Sequence, residues 1–166
     1  MVQKKNQPMQ PIKIATAQFE NRSGDKAYNL SVIDQLSAQA AQNGAQVITF
    51  HECCISGYSY ARKLSKTQLL EEAEFVPDGE SIQCLIEISK EKHVPQGKNG
   101  QVYNTYVCVN QERLLAKYRK LHPFIHPDLS PGNSYVTFDL SGWKCGILIC
   151  YDNNIIENVR ATKLLG

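Results

Sequence analysis

The sequence lacks the features that mark membrane, secreted and nucleic-acid-binding proteins. No apolar run is long enough to cross a membrane, and the polar start at residues 1–10 lacks the apolar stretch of a secretory signal. The net charge is only +2, and the basic residues are dispersed except at residues 117–120, so charge does not indicate nucleic-acid binding. We therefore expect neither a nucleic acid nor a membrane as partner, and residues 1–10 are predicted to form a flexible leader.

The six cysteines include no CxxC pair, which is the spacing that zinc sites favour. Cys84, Cys108 and Cys145 lie in apolar or strand-like segments rather than in the loops of a small disulfide-rich scaffold. Since a secretory signal is also lacking, we expect reduced thiols and a cytoplasmic location.

Size and composition predict one ordinary globular domain. The chain has 166 residues, of which 42% are hydrophobic and 20% are charged, so a packed core is expected and extensive disorder is not. No internal repeat or low-complexity tract divides the chain. We therefore assign residues 11–166 to a single domain.

Apolar periodicity and turn residues predict an alternation of strands and helices that ends in two hairpins. The predicted elements are a strand at 11–18, a helix between Asp25 and Gly44, a strand at 45–50, helices at 66–73 and 81–92, hairpins at 102–119 and 135–149, and a helix at 155–161. Two β–helix units followed by hairpins predict an α/β protein with a mixed sheet and helices on one face. No strand follows at residues 94–97, where a covering helix normally returns to its sheet, so a deletion or gap is expected there.

Cys150 stands between an apolar, β-branched run at residues 146–149 and a polar stretch that leads into a helix-like segment. This pattern predicts a strand, a sharp turn and a helix, with the thiol beside the amino end of the helix. The helix dipole and free N–H groups there favour the thiolate, which is the reactive form of cysteine. Nucleophiles on such turns recur in hydrolases. A buried structural cysteine is the alternative, because free cysteine is among the most buried residue types.

Glu52, Lys120 and Cys150 each follow the end of a predicted strand. Sites in open α/β sheets form at the carboxyl ends of strands, so these side chains can converge although they lie far apart in sequence. A shielded carboxylate can take a thiol proton, and an ammonium group can stabilise the negative charge that develops during attack on an amide or nitrile. The alternatives are that Glu52 is a surface acid and that Lys120 belongs to a solvated basic patch.

Four segments resemble the motifs of a known family. They are IATAQ at residues 14–18, HECCISGY at 51–58, KYRKLH at 117–122 and GILICYD at 146–152. Together they strongly resemble the nitrilase superfamily of carbon–nitrogen hydrolases. That family carries a Glu–Lys–Cys triad in this chain order, and the resemblance places the triad on Glu52, Lys120 and Cys150.

The resemblance implies an α-β-β-α sandwich whose members pair through their α faces, so a homodimer or larger homo-oligomer is expected. It implies neither a metal ion nor an organic cofactor. It also implies hydrolysis of a non-peptide carbon–nitrogen bond: Glu52 takes the thiol proton, Cys150 forms a thioester, and Lys120 with the N–H after Cys150 holds the oxyanion. The expected substrate is a small amide or N-carbamoyl compound that releases ammonia or an amine, and nitrile hydrolysis is the alternative.

Further residues are expected to bind substrate or to support the pocket. They are Tyr58, His122, His126, Asp128, Tyr151 and Asp152. Among these, Tyr151 and Asp152 are expected to shape the pocket wall. Many family members carry a second glutamate before the Pro-Gly turn that lies here at residues 131–132, and no glutamate occupies that stretch. His126 or Asp128 is the candidate to take its place.

Two departures from the family pattern leave other hypotheses open. Family members usually continue with a second half of the sandwich, so we expect the C-terminal part of the fold to be missing from this sequence. Together with the absent glutamate, this supports a second hypothesis, a catalytically weak or inactive nitrilase-like interaction domain, against which the intact Glu52, Lys120 and Cys150 argue. A third hypothesis, disfavoured by the spacing, is a metal site built from His51, Cys53, Cys54 and Cys145.

Overall fold

The structure is a computed structural model that describes residues 11–89 and 101–166. The predicted flexible leader at residues 1–10 and the predicted gap near residues 94–97 both lie outside the described residues. Within the described ranges, every helix is too short or too polar to traverse a lipid bilayer.

The described chain opens with a parallel β–α–β unit, which confirms the prediction for this region. Strands β1 (Ile14–Ala17) and β2 (Val47–Phe50) pair in parallel, and helix α1 (Lys26–Gln42) connects them. The Asp25 side chain accepts a hydrogen bond of 2.9 Å from the backbone N–H of Tyr28. This bond satisfies a free donor of the first helical turn and defines where α1 begins. Because β1 and β2 run in the same direction, their carboxyl ends lie at one edge.

Two short helices follow β2. Helix α3 (Lys66–Glu72) confirms the helix predicted at residues 66–73, whereas α2 (Tyr58–Ala61) is a single turn that leaves no periodicity in the sequence. Ser65 and Gln68 form a capping box, in which each side chain bonds to the backbone N–H of the other residue. The box satisfies two donors at the start of α3 and therefore fixes its first residue.

Helix α4 (Glu80–Ile88) packs against α1. The Glu74 carboxylate caps its first turn by accepting hydrogen bonds from the N–H and the hydroxyl of Ser81, both of 2.7 Å. Lys26 of α1 contacts the same carboxylate at 2.9 Å, so one acid joins the two helices. Helix α4 ends at Ile88, and residues 90–92 of the helix predicted at 81–92 lie outside the described residues.

Two antiparallel hairpins follow as predicted, with shorter strands. The strands are β3 (Thr105–Val109), β4 (Leu114–Arg119), β5 (Thr137–Leu140) and β6 (Trp143–Gly146). Ser141 and Gly142 form the second turn with φ values of 51° and 86°, the conformation of tight turns that match the twist of paired strands. The turn predicted at these two residues is therefore confirmed.

The segment around Cys150 differs from the predicted strand, turn and helix. The last strand ends at Gly146, and residues 147–149 continue as extended chain outside the ladder. A 3-10 turn then covers Cys150–Asn154, and α5 (Ile156–Leu164) begins only after it. Cys150 therefore opens a 3-10 turn and not an α-helix. The side-chain amide of Asn153 stabilises this turn by donating hydrogen bonds to the backbone carbonyls of Leu148 and Cys150.

The hydrophobic core links the first hairpin to the segment that precedes Cys150. Its buried residues are Ala116, Tyr118, Ile147 and Ile149. Across the described ranges, the strands form three separate two-stranded ladders, so the prediction of one mixed sheet is wrong there. The strands are short, and neighbouring ladders meet through side chains rather than through backbone hydrogen bonds. The core nevertheless packs the end of β4 beside the approach to Cys150.

Candidate active site

An ion pair joins the segments that follow β2 and β4. The ammonium nitrogen of Lys120 lies 2.5 Å from Oε1 of Glu52. The Lys120 side chain is 2% exposed and the Glu52 side chain is 12% exposed. A charge as shielded as that of Lys120 is tolerated because it is paired at short range. These two side chains therefore meet, as predicted from their positions after strand ends.

Asn104 connects the two members of this pair, and sequence reasoning missed it. Its side-chain amide donates a hydrogen bond of 2.7 Å to Oε1 of Glu52, and its backbone carbonyl accepts one of 2.8 Å from the N–H of Lys120. Within the described residues, both hydrogen bonds to the carboxylate therefore go to Oε1. The pairing of the hairpin could have identified Asn104. Thr105 pairs with Arg119, so Asn104 and Lys120, the residues just outside that pair, must face each other.

A glycine holds the backbone on the other side of Lys120. The N–H of Gly132 donates a hydrogen bond of 2.8 Å to the carbonyl of Lys120. A Cβ atom at Gly132 would lie 2.1 Å from the carbonyl oxygen of Arg119, so a larger residue cannot fit unless the end of β4 moves. The Pro-Gly turn noted in the sequence therefore fixes the backbone from which Lys120 projects.

Cys150 is exposed, which rules out the alternative of a buried structural cysteine. Its φ is +46°, in the left-handed region that residues other than glycine seldom occupy. The side-chain amide of Asn153 donates a hydrogen bond of 3.3 Å to the Cys150 carbonyl and holds the turn. Strained backbone of this kind concentrates at functional sites, and the turn presents the thiol as a nucleophile elbow does.

Tyr58 lies where the electrostatic effects of the three predicted triad residues overlap. Burial raises the pKa of the Tyr58 hydroxyl, the charge of Glu52 raises it further, Lys120 lowers it, and Cys150 raises it again. The charges of all three groups therefore act on this hydroxyl, which is compatible with the predicted role of Tyr58 in the pocket.

The two cysteines next to Glu52 have a different character from Cys150. Burial, followed by the charge of Glu52, raises the pKa of Cys53 to about 12, and burial raises the pKa of Cys54 to about 11. Both therefore stay protonated and weakly nucleophilic near neutral pH. Within residues 11–89 and 101–166, no three His, Cys, Asp or Glu side chains lie close enough together to hold a metal ion, so the metal site considered from the sequence is not assembled.

Asp152 lies inside the protein rather than on a pocket wall. Its side chain is fully buried. One oxygen, Oδ1, accepts hydrogen bonds of 3.0 Å from both the N–H and the ring Nδ1 of His122, and Oδ2 accepts bonds from the Tyr118 hydroxyl at 2.7 Å and the Leu121 N–H at 3.2 Å. Burial alone would raise the pKa of Asp152, but the hydrogen bonds outweigh burial and hold it below its usual value. Both carboxylate oxygens of Asp152 are therefore bonded to residues of the segment around Lys120.

Aromatic rings surround the exposed side of the Lys120 segment. Tyr151 is 46% exposed and makes edge contacts with His122 and Phe124, with ring centroids 6.5 and 5.7 Å away. The Phe124 ring centroid lies 5.1 Å from the Lys120 ammonium nitrogen, within the range of a cation–π interaction. Phe124 thus belongs to the surroundings of the site, although the sequence did not single it out.

His126 and Asp128 brace the loop after Lys120 against the α2–α3 region. The His126 Nε2 donates a hydrogen bond of 2.8 Å to the Leu64 carbonyl, since its Nδ1 accepts one of 3.1 Å from the N–H of Asp128. The Asp128 carboxylate lies 3.4 Å from the ammonium of Lys66. These contacts occupy both side chains at the loop base, so within the described residues neither is bonded to the Glu52–Lys120 pair.

The chain is similar to known proteins of one family. The family described as Carbon-nitrogen hydrolase matches residues 13–166. A nitrilase of Pyrococcus abyssi is 29% identical over 164 residues, which cover 93% of this chain and 62% of the relative. Omega-amidase NIT2-A of Xenopus laevis is 33% identical over 168 residues, covering 90% of this chain and 58% of the relative.

A solved structure is similar in fold as well. Saccharomyces cerevisiae Nit3, a member of branch 10 of the nitrilase superfamily, matches with a TM-score of 0.74 and 28% identity, covering 91% of this chain and 59% of that structure. The predicted nitrilase-type α/β fold is therefore confirmed. The chain spans about three fifths of the length of these proteins, in agreement with the expectation that part of the sandwich is missing from the sequence. The chain belongs to the carbon–nitrogen hydrolase family of the nitrilase superfamily.

Proposed function

We propose that this chain carries the Glu–Lys–Cys triad of an enzyme that hydrolyses small amides or N-carbamoyl compounds. The observation that carries the proposal is the shielded contact of 2.5 Å between Lys120 and Glu52. Cys150 is exposed on its left-handed turn, and Glu52, Lys120 and Cys150 all influence the pKa of the Tyr58 hydroxyl. A base, a fixed positive charge and a nucleophile are the groups that amide cleavage by a cysteine requires.

The first stage forms a thioester. Glu52 takes the thiol proton of Cys150 at Oε2, because Oε1 is occupied by Lys120 and Asn104. The sulfur then bonds to the amide carbon, and the electron pair of the C=O bond moves onto oxygen. The Lys120 ammonium and the N–H of Tyr151 stabilise this oxyanion. When the carbon–nitrogen bond breaks, the proton passes from Glu52 to the leaving nitrogen, and ammonia or an amine departs.

The second stage returns the enzyme to its starting state. Glu52 takes a proton from a water molecule, and the resulting hydroxide attacks the thioester carbon. The carbon–sulfur bond breaks, the carboxylic acid leaves, and the Cys150 sulfur regains the proton from Glu52. Every proton and electron pair is accounted for by these groups, so the cycle requires no metal ion or organic cofactor.

Amides are favoured over nitriles as substrates. Omega-amidases recur among the relatives at 32–33% identity, beside a nitrilase at 29% identity. The hydroxyl of Tyr58 and the rings of Phe124 and Tyr151 provide mixed polarity near the triad, which suits a small linear amide. By the same family argument, the protein is proposed to form a homodimer or a larger homo-oligomer in the cytoplasm.

Ammonia release from a panel of small amides, N-carbamoyl compounds and nitriles tests the proposal. The variant Cys150→Ala removes the nucleophile, and Cys145→Ala is the matched control because it changes another cysteine of the same segment. We expect the first variant to abolish release and the second to retain it. Ammonia release that Cys150→Ala leaves unchanged would refute the proposed function.

A weak or inactive relative is the competing proposal, and one observation favours it. The two candidates for the missing second acid are occupied elsewhere, His126 by Leu64 and Asp128 by Lys66. If no compound in the panel releases ammonia and iodoacetamide modifies Cys150 no faster than Cys53, this competing proposal is supported instead.

A further inference from the structure

We propose that Asp152 is a positioning residue that holds the turn of Cys150 in register with Lys120. The inference rests on the proposed function, in which the thiol and the ammonium act on the same substrate carbonyl. Asp152 lies two residues after Cys150, and its carboxylate bonds only to groups on the segment that flanks Lys120 among the described residues. One buried side chain therefore bridges the two segments whose relative geometry decides the reaction.

On the lysine side, the carboxylate contacts the chain before and after Lys120. Leu121 and His122 are the next two residues, and their N–H groups donate bonds of 3.2 and 3.0 Å to Asp152. The Tyr118 hydroxyl, two residues before Lys120, donates the shortest bond, of 2.7 Å. A shift of the carboxylate therefore affects the backbone directly after Lys120 and the Tyr118 side chain before it.

On the cysteine side, the backbone of Asp152 closes the 3-10 turn. Its N–H donates a bond of 3.0 Å to the carbonyl of Ile149, and its carbonyl accepts one of 3.1 Å from the side chain of Asn158 in α5. Asn158 is buried and accepts a further bond of 3.1 Å from the Tyr135 hydroxyl. The turn is thus anchored to a helix, which keeps Cys150 in its unfavourable backbone conformation.

The chemistry of the carboxylate explains why an acid is needed at this position. The oxygens face two groups that can only donate, namely the N–H of Leu121 at Oδ2 and the N–H of His122 at Oδ1. Leaving a buried donor without an acceptor is unfavourable. An asparagine has a single acceptor oxygen, so its NH₂ group would meet at least one of these donors. The variant Asp152→Asn therefore disturbs the bridge while conserving the size of the side chain.

The test compares Asp152→Asn with Glu74→Gln in the full chain. Glu74 is also a carboxylate that accepts several hydrogen bonds, but its donors Lys26 and Ser81 belong to the α1–α4 contact. At a temperature where both variants are folded, we expect kcat for ammonia release to fall by about 100-fold in Asp152→Asn with KM within about twofold. Glu74→Gln should retain kcat. Equal kcat values for the folded variants would overturn the inference.

A second variant covers the case in which Asp152→Asn does not fold. Tyr118→Phe removes one donor to the carboxylate and leaves the ring in the core. Its kcat should fall by about tenfold, again with little change in KM. A folded Tyr118→Phe protein with the kcat of the wild type would contradict the proposed positioning role of Asp152.

Failure of the proposed function gives a different result. If the wild type releases no ammonia from any compound, the proposed function fails, and the rate of Cys150 alkylation by iodoacetamide at a single pH replaces turnover as the measurement. A carboxylate that holds the turn of Cys150 in one conformation predicts a changed alkylation rate in Asp152→Asn and an unchanged rate in Glu74→Gln. Identical rates in Asp152→Asn and the wild type would overturn the inference.

Discussion

The side-chain amide of Asn104 donates a hydrogen bond of 2.7 Å to Oε1 of Glu52, although 52 positions separate the two residues in the chain. The same oxygen contacts the ammonium of Lys120. The orientation of the Glu52 carboxylate therefore depends on a strand-end asparagine as much as on its partner charge. Two donors on one oxygen also direct the other oxygen toward the remaining space of the site.

The first prediction concerns this hydrogen bond. Asn104→Ala should lower the free energy of unfolding by about 2 kcal/mol, because it removes a bond to a charged and largely buried acceptor. Ammonia release should fall as well, since Glu52 loses one of the two contacts that orient it. Urea unfolding measures the first effect. Asn43→Ala is the control, because it removes an exposed bond of 2.8 Å at the end of α1, and an equal loss in both variants would contradict the prediction.

The second prediction concerns the ion pair itself. Lys120→Met and Glu52→Gln should each lower the free energy of unfolding by about 3 kcal/mol, because each leaves its partner shielded from water and uncompensated. The double variant should lose much less than the sum, which a double-mutant cycle in urea measures. The exposed pair of Lys144 and Asp139, at 3.1 Å, should give a coupling energy of less than about 1 kcal/mol. A coupling as small at the shielded pair would contradict the prediction.

Local sequence patterns predicted most of the secondary structure, but they did not predict the turn at Cys150. Hairpins and the β–α–β unit follow from local periodicity and turn residues, so they were predicted correctly with errors only at the ends. The meeting of Glu52 with Lys120 followed from a general rule about strand ends. The 3-10 turn at Cys150 was missed because it depends on bonds from Asn153 to the backbone, which compete with the helix that the same residues favour.

The residues that sequence reasoning missed share one property. Asn104 and Phe124 acquire their roles only through tertiary contacts with Lys120 or its partner Glu52. Neither bears a group that performs chemistry, so residue type alone gives no signal. Asp152 differs in the opposite way. Because it is an acid close to the predicted nucleophile, it was expected in the pocket wall, but its tertiary hydrogen bonds hold it inside the protein. Roles that depend on register and burial therefore require the structure.

The third prediction tests the close contact behind Lys120. Gly132→Ala should lower ammonia release and the free energy of unfolding, the latter by about 1–3 kcal/mol, because its Cβ would overlap the carbonyl of Arg119 and move the end of β4. Gly142→Ala is the control. It strains a turn with φ of +86° but meets no atom within 4 Å, so it should reduce stability and leave turnover of the folded protein unchanged. Turnover that responds equally to both substitutions would contradict this account.

The fourth prediction follows from the pKa of Asp152, which hydrogen bonds hold below its ordinary value of 3.8 in the folded protein despite the opposing effect of burial. The unfolded chain then binds this proton more readily, so the ionised acid stabilises the fold above about pH 4, and that stabilisation is lost as the pH falls through the folded pKa. The stability difference between the wild type and Asp152→Asn should therefore shrink between pH 7 and pH 3, as urea unfolding at several pH values will measure.

Asn158→Ala is the matched variant for this measurement. It removes uncharged hydrogen bonds from the same network, so its stability difference from the wild type should stay nearly constant over the same pH range. If the difference in free energy of unfolding between the wild type and Asp152→Asn also stays constant with pH, Asp152 binds its proton equally well in the folded and unfolded chain, which contradicts the prediction.

The last prediction distinguishes the cysteines by reactivity. At pH 8, iodoacetamide should modify exposed Cys150 well before Cys53 or Cys54, whose pKa values of about 12 and 11 leave only about one thiol in a thousand, or fewer, ionised. Mass spectrometry of peptides after timed labelling gives the order. In concentrated urea the three sites should react at similar rates, because burial no longer raises any pKa. Native labelling of Cys53 at the rate of Cys150 would mean that the exposed turn gives the proposed nucleophile no advantage over its buried neighbours.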